Sequence, residues 1–465
     1  MIDKIIKNCT IVNFNDRQKA GIAINNGKII QISEDKYLPE AREVIDAEGN
    51  FVLPGLIDTH IHLGAFGSKH NMPGYKEEVE GFKCAVVGGV TTLGNHLGMG
   101  DTAFNGSLKP KLEEWIEFYN KNAIPNVFFH IGITSDIQTL EIPDYVNEYG
   151  VSGFKWYAYD RGENETWSMT PVTYGDMYKG FEIIAKLGPD VLAMRHCENM
   201  EIVESLKKLY KDELKRNDPE AWYLTRPGFV EATDVRIASY LAKVTGAHFY
   251  PVHISSKEGL EAVIRAKEEG TKITAETVMH YLVCSIEEYS KWGTLAIESP
   301  SLKEKESCDA LWKGINDGII KCIGTDSGTM TKSHKSGTVW DALAGFSEDT
   351  PLLGPVMLSE GVNKGRITLE KMVELCCYNN AKVHKLEGKG IIEVGADADI
   401  IIVDLNKKQK VTLDILHYLI SDFSLFEGKE LTGWPIMTLI AGEVVYKDGK
   451  IIGKPGIGKY IKRKI

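Results

Sequence analysis

His60 and His62 stand one residue apart at the end of the apolar run Leu53-Pro54-Gly55-Leu56-Ile57-Asp58-Thr59. Read as a buried strand, that run places alternate side chains on one face, so both imidazoles can reach a single metal ion. Two histidines are too few for a closed site, and a His-x-His can equally sit in a loop, so further donors are needed. Four other strand-like runs supply them: Lys155 lies within residues 153–157, His196 follows 191–195, His253 follows 249–252, and Asp326 follows 319–325. Each has an ordinary structural reading. Lys155 can extend to solvent, the histidines can be hydrogen-bonded core residues, and Asp326 can cap a helix. Together, His-x-His, Lys, His, His and Asp offer the nitrogen and oxygen donors that zinc and similar divalent ions prefer.

The elements that must position these groups are legible in the pattern of the chain. Residues 5–12, 20–24 and 28–32 are β-rich, with Asn26-Gly27 as a hairpin turn; near the other end, residues 398–405, 439–446 and 450–452 repeat that style around Asp448-Gly449. A small β-domain assembled from both termini follows, residues 1–53 plus 390–465. Between them, short apolar strands alternate with longer amphipathic segments, the βα pattern of a parallel sheet covered by helices. The length of that middle part, 54–389, predicts an α/β TIM (β/α)8 barrel, whose chemistry would lie at the C-terminal ends of its strands. In one unit, the run 248–254 leads to Ser255 and Glu258 at capping-box spacing, an apolar face of Leu260, Val263 and Ile264, and a stop at Gly270.

Composition narrows the functional class. The 465 residues are 43% hydrophobic and 26% charged, as in a soluble globular protein, and the net charge of −11 argues against nucleic-acid or anionic-membrane partners. Lys459, Lys462, Arg463 and Lys464 read as a solvated basic terminus. No apolar run reaches the roughly 18 residues needed to cross a bilayer, and the N-terminus has no signal-peptide pattern, so a cytoplasmic location is expected. The eight cysteines show no Cys-x-x-Cys spacing and read as reduced core residues; Cys197 beside His196 is the one conceivable nucleophile.

Taken with these motifs, the chain resembles the amidohydrolase superfamily, and within it the cyclic amidases: hydantoinases, dihydropyrimidinases and allantoinases. The likeness runs nearly end to end, through Pro54-Gly55-Leu56-Ile57-Asp58-Thr59-His60-Ile61-His62, Gly88-Gly89-Val90-Thr91-Thr92, Gly153-Phe154-Lys155, His196-Cys197-Glu198-Asn199, Thr225-Arg226-Pro227, Val252-His253-Ile254-Ser255-Ser256, Thr325-Asp326-Ser327 and Gly395-Ala396-Asp397-Ala398-Asp399. The resemblance implies two divalent metal ions, most simply Zn2+. His60, His62 and Asp326 would hold one, His196 and His253 the other, and Lys155 would bridge them as a carbon dioxide-derived carbamate. It implies attack by a metal-bridging hydroxide on a ring amide, with Asp326 carrying the proton and Tyr159, or Tyr157 in reserve, donating to the carbonyl oxygen. The tyrosine spacing departs by one residue from the family pattern.

Substrate residues are less sharply marked. Leu63-Gly64 follows the His-x-His pair where dihydroorotases place an arginine, which favours a neutral cyclic ureide or imide over an acidic ring. Ser299, in Ser299-Pro300-Ser301-Leu302-Lys303, matches a ring-contacting segment with altered neighbours. Asp341 falls where many hydantoinases carry asparagine, and either contacts substrate or faces solvent. His280 is more like allantoinases, whereas Ser424-Leu425-Phe426-Glu427-Gly428 and the C-terminal run 456–461 are more like hydantoinases. The remaining histidines read as ordinary, with His96 near a strand end and His334 in the loop after Asp326 as the nearest exceptions. The expected activity is therefore hydantoinase- or dihydropyrimidinase-like ring opening to an N-carbamoyl amino acid. Allantoinase is the alternative; a dihydroorotase, a single-metal deaminase or a non-enzymatic scaffold of the collapsin-response mediator type are weaker ones. The resemblance further implies a homotetramer or homodimer.

Overall fold

The computed structural model describes residues 1–65, 81–158 and 172–465. Seven short strands come first: β1 (Ile2–Lys7), β2 (Thr10–Val12), β3 (Arg17–Lys19), β4 (Gly21–Asn25), β5 (Lys28–Ser33), β6 (Ala41–Asp46) and β7 (Phe51–Pro54). Eight more alternate with helices: β8 (Leu56–Ile61), β9 (Val90–Leu97), β10 (Asn126–Gly132), β11 (Gly153–Trp156), β12 (Leu192–Arg195), β13 (His248–Pro251), β14 (Ala275–Val278) and β15 (Ile320–Gly324). β16 (Ile400–Lys410), β17 (Glu430–Ile440), β18 (Glu443–Lys447) and β19 (Lys450–Ile451) close the chain.

β8 to β13 form one six-stranded parallel sheet in sequence order, and β14 pairs with β15 in a second. Every residue of β8, β9, β10 and β11 is buried, as strands covered on both faces require. Backbone hydrogen bonds join the two sheets at both edges. Phe249 N donates to Lys272 O at 2.8 Å and Ile254 N to Glu276 O at 2.8 Å; at the opposite join, Asp326 N donates to His60 O and His62 N to Ser327 O, both at 2.8 Å. The second join matters chemically, because it stitches the His-x-His strand end to Asp326.

The helix Lys257–Glu268 shows how local sequence sets an element, and where its start differs from expectation. Its N-cap is Ser256, whose side chain accepts from Gly259 N at 2.9 Å, not Ser255. Buried Glu231 anchors both serines, accepting from the backbone N–H and hydroxyl of each, and the Ser256 hydroxyl additionally accepts from Gly259 N. Two predicted strands are also interrupted. Asn8 at φ 54° separates β1 from β2, and Ala441 (φ 48°) with Gly442 (φ 77°) turns the run 439–446 into a hairpin. The Asn26-Gly27 turn has the left-handed pair expected of it, φ 49° and 73°.

The terminal strands make two sheets, β5-β4-β1-β6 and β19-β18-β17-β16-β7-β2-β3. Antiparallel pairing of β7 with β16 brings the ends of the chain together, and Ile6, Ile22, Ile24, Val52, Ile400, Ile402 and Leu439 share one apolar cluster. No described helix is long and apolar enough to cross a membrane. All eight cysteines are buried free thiols, and burial pushes the Cys197 thiol well above its ordinary value, which disfavours the thiolate a nucleophile needs.

The basic C-terminus is not uniformly solvated as expected. Lys462 and Lys464 are exposed, but Arg463 is 3% exposed. Its guanidinium donates to Gly150 O (2.8 Å), Ser152 Oγ (2.8 Å) and Phe129 O (2.6 Å) and lies over the Phe128 ring. Tail and parallel sheet are thus tied by charge-assisted bonds, and the spacing of lysines concealed which cation points inward. Replacing Arg463 by Met strands those acceptors and is expected to cost about 2–4 kcal/mol, read as a lowered urea midpoint at unchanged m-value.

Candidate metal centre

β8 carries His60, wholly buried, on its last turn of pleat and delivers His62 just beyond its end. The Nε2 atoms of both imidazoles converge on Asp326 Oδ1, at 3.1 Å from His60 and 3.0 Å from His62. The three ligand atoms lie within 4.8 Å of one another, the only such group among the described residues. Lys155, on β11 and 1% exposed, puts Nζ 2.8 Å from His60 Nε2. On the far side, His196 Nδ1 and His253 Nε2 are 2.9 Å apart, and the His253 ring lies 5.4 Å from that of His60. All six expected ligands therefore lie in one buried cluster in two groups, with Lys155 against the first, and all but His60 line the same cavity.

Burial sets the ionisation of this cluster. It holds the His60 and His253 imidazoles well below their ordinary value, and the neighbouring cations deepen the effect. Burial likewise pushes the Lys155 ammonium down to about 8, against the opposing pull of Asp326 and Glu276. Neutral imidazoles with inward lone pairs, a carboxylate and a lysine easily made neutral are a donor set suited to divalent cations. Two of the backbones carrying it are themselves unusual: His253 (φ 40°) and Asp326 (φ 56°) are left-handed non-glycine residues, a strain of order 1 kcal/mol or more each. The His60 O bond to Asp326 N, and that from His253 N to Glu276 Oε1 at 3.3 Å, hold them there.

Two carboxylates that sequence reasoning missed orient the ligands. Glu276 on β14 is wholly buried, contacts His60 Nδ1 at 2.7 Å, and accepts from Thr59 Oγ1 (2.7 Å) and Tyr250 OH (2.9 Å) as well as His253 N. With its Nδ1 proton donated there, His60 presents an Nε2 lone pair to the pocket. Burial raises the Glu276 carboxyl to about 7 despite those bonds. Glu198 does the same for His196, at 2.9 Å from its Nε2, and accepts from Ser299 Oγ at 2.9 Å. Burial would raise Glu198, but the His196 bond and the Arg226 charge outweigh it and hold the group at about 2. The available signal was local: Glu198 sits two residues after His196, and Glu276 lies between Ala275 and Thr277 in a strand-like run.

The cavity facing these ligands is walled by Ser299, Met99 and residues 344–346. Ser299 is thus where expected. Asp341 is not: its exposed carboxylate accepts from Thr338 N (2.9 Å) and Thr338 Oγ1 (2.6 Å), capping a turn, while Gly345 and Phe346 a few residues later reach the cavity. Tyr159 lies outside the described residues. Tyr157 is buried with its ring 4.7 Å from Lys155 Nζ. His96 packs its ring 4.1 Å from that of His60, and His280 bonds Asp349 at 2.9 Å while stacking on Phe346.

The sequence profile of the amidohydrolase family matches residues 51–445. The chain belongs to that family. This amidohydrolase is 32% identical to a D-hydantoinase of Geobacillus stearothermophilus over 99% of its own length and 96% of the relative's. It is also 32% identical to an allantoinase of Escherichia coli O139:H28, over 96% and 95%. A crystal structure of a dihydropyrimidinase from Brevibacillus agri NCHU1002 superposes with a TM-score of 0.88 at 28% identity, covering 99% of this chain and 98% of that one.

Because Glu276 touches His60 and His253, one from each donor group, Glu276→Leu is expected to weaken divalent-metal binding about 10–100-fold, with Glu276→Gln intermediate. Competition against a chromophoric chelator measures this.

Proposed function

We propose that this amidohydrolase opens a cyclic amide ring by hydrolysis, in the manner of hydantoinases and dihydropyrimidinases, releasing an N-carbamoyl amino acid. The observation that carries this reading is the convergence of His60, His62, Asp326, Lys155, His196 and His253 in one buried cluster. Those residues would hold two divalent ions, zinc by donor type, with Lys155 as a bridging carbamate. Ions bound there supply polarisation of the ring carbonyl and lower the pKa of a water from about 15.7 toward about 7.

The chain's own groups do the rest. Asp326 faces the pocket with Oδ1 already 3.0 Å from His62 Nε2, placed to take the proton of the attacking water. As the new carbon–oxygen bond forms and the ring carbon–nitrogen bond breaks, the same carboxyl returns that proton to the departing nitrogen. Ser299, anchored on Glu198, borders the ring, and we assign Tyr159 to the carbonyl oxygen. Asp341 is left out of this assignment, since it already caps its turn.

Allantoin is the second reading, favoured by the similarity to allantoinases and by His280. Dihydroorotate is disfavoured: Leu63 and Gly64 follow His62, and no arginine is among the described residues lining the cavity. We also infer that the eight parallel strands close as a (β/α)8 barrel over 54–389, with residues 1–53 and 390–465 as a β-sandwich; the hydrogen bonds at both joins and the shared terminal core support this. The family resemblance supports a homotetramer or homodimer.

Hydantoin, dihydrouracil, allantoin and dihydroorotate, followed by loss of ring-amide absorbance, test the activity: turnover of the first two is expected, and turnover of allantoin alone moves the assignment to the second reading. Lys155→Ala is expected to lower bound metal and to reduce kcat/KM at least about 100-fold; full loading with normal turnover defeats the bridging role. Since carbon dioxide reacts only with the free amine, reconstitution of metal-free protein should require bicarbonate. It should quicken as pH rises through about 8, where the Lys155 amine loses its proton. Reconstitution indifferent to bicarbonate argues against the carbamate.

A further inference from the structure

The two walls of the cavity come from segments far apart in sequence, one ending at Ser299 and the other spanning residues 344–346. Behind them lies a lysine that plays no part in the chemistry above. Lys335 is 1% exposed, and its ammonium donates to Ile297 O at 2.6 Å and to Gly345 O at 2.6 Å, with Glu298 Oε1 3.6 Å away. Among the described residues, the one backbone hydrogen bond between the same walls is long: Gly345 N donates to Ile297 O at 3.4 Å. Lys335 is itself fixed from behind, because its N–H donates to Lys332 O and Leu343 N donates to His334 O.

Taking an ammonium out of water costs several kcal/mol, and an apolar side chain of similar volume would fill the space without that cost. What the apolar side chain cannot do is donate to two carbonyls on different segments at once. We propose that Lys335 is a positioning residue that clamps the two walls of the substrate cavity, fixing the distance between Ser299 and residues 344–346 and so the fit of the planar ring. The proposal deepens the cyclic-amide reading and rests on it. The clamp acts on ground-state fit: the wall bearing Ser299 bonds to Glu198, which contacts His196, while His60 and His253 are held by Glu276.

Lys335→Met in the zinc-loaded enzyme tests it, with Glu298→Gln alongside. Hydrogen exchange, which needs no substrate, should accelerate in Lys335→Met within peptides containing residues 295–300 and 343–347 and nowhere else. KM for the ring substrate should rise about tenfold, with kcat within about threefold and zinc content unchanged. Glu298→Gln removes the countercharge of the buried ammonium but leaves both carbonyl bonds, so its stability should fall while its KM and wall exchange rise less than in Lys335→Met. Unchanged exchange at both walls in Lys335→Met overturns the clamp, as does a parallel fall of kcat and zinc content, an equal KM rise in Glu298→Gln, or global unfolding of Lys335→Met. A wild-type enzyme inactive on every ring amide defeats the functional reading alone, since the exchange result still reports on the clamp.

Discussion

An ammonium buried away from water is unfavourable through lost hydration, and a single imidazole lone pair offsets only part of that cost. Lys155 against His60 Nε2 is such a contact, and much of the site is arranged around it. Carboxylates approach from both sides, Asp326 at the strand ends and Glu276 beneath His60, and they are the two largest influences that favour the charged lysine against burial. The same environment makes the neutral amine accessible near neutral pH. The burial that disfavours the ammonium also keeps the imidazoles neutral, and the two acids limit how far the lysine is shifted.

The carboxylates also explain how a centre built from five separate segments keeps its geometry. Glu276 contacts His60 by side chain and His253 by backbone, so one rigid strand residue spans both donor groups. Glu198 links His196 to Ser299, so the second group is connected to the cavity wall. The left-handed backbones at His253 and Asp326 turn the chain at the two strand ends, held by the bonds from Asp326 N to the His60 carbonyl and from His253 N to the Glu276 carboxylate. Ligand direction is thus set by the sheet, while ligand tautomer is set by acids lying one step further out.

Much of this was legible in the linear sequence. His60 and His62, Lys155, His196, His253 and Asp326 each end or interrupt a strand-like run, and a period-two strand in a parallel sheet leaves little freedom in where such a residue can point. The supporting residues were not legible. Glu276 looks like any polar residue in a strand, and only its distance to His60 gives it a role; Asp341 had a plausible position in the sequence but folds onto Thr338. Arg463 sits among exposed lysines of the same charge, and no pattern distinguishes the one cation that finds three buried acceptors.

By itself, then, the sequence determined the strand-and-helix alternation, the β-rich ends and the six donor residues, because those follow from local periodicity and from residue types whose chemistry is intrinsic. Tertiary structure alone decided which carboxylates orient the imidazoles, which residues wall the cavity, where the chain breaks its strands at Asn8 and Ala441, and which cations go inside. The physical reason is that hydrogen bonds and desolvation act between groups brought close by folding, and partners such as Glu276 for His60 or Gly150 for Arg463 lie hundreds of positions away along the chain.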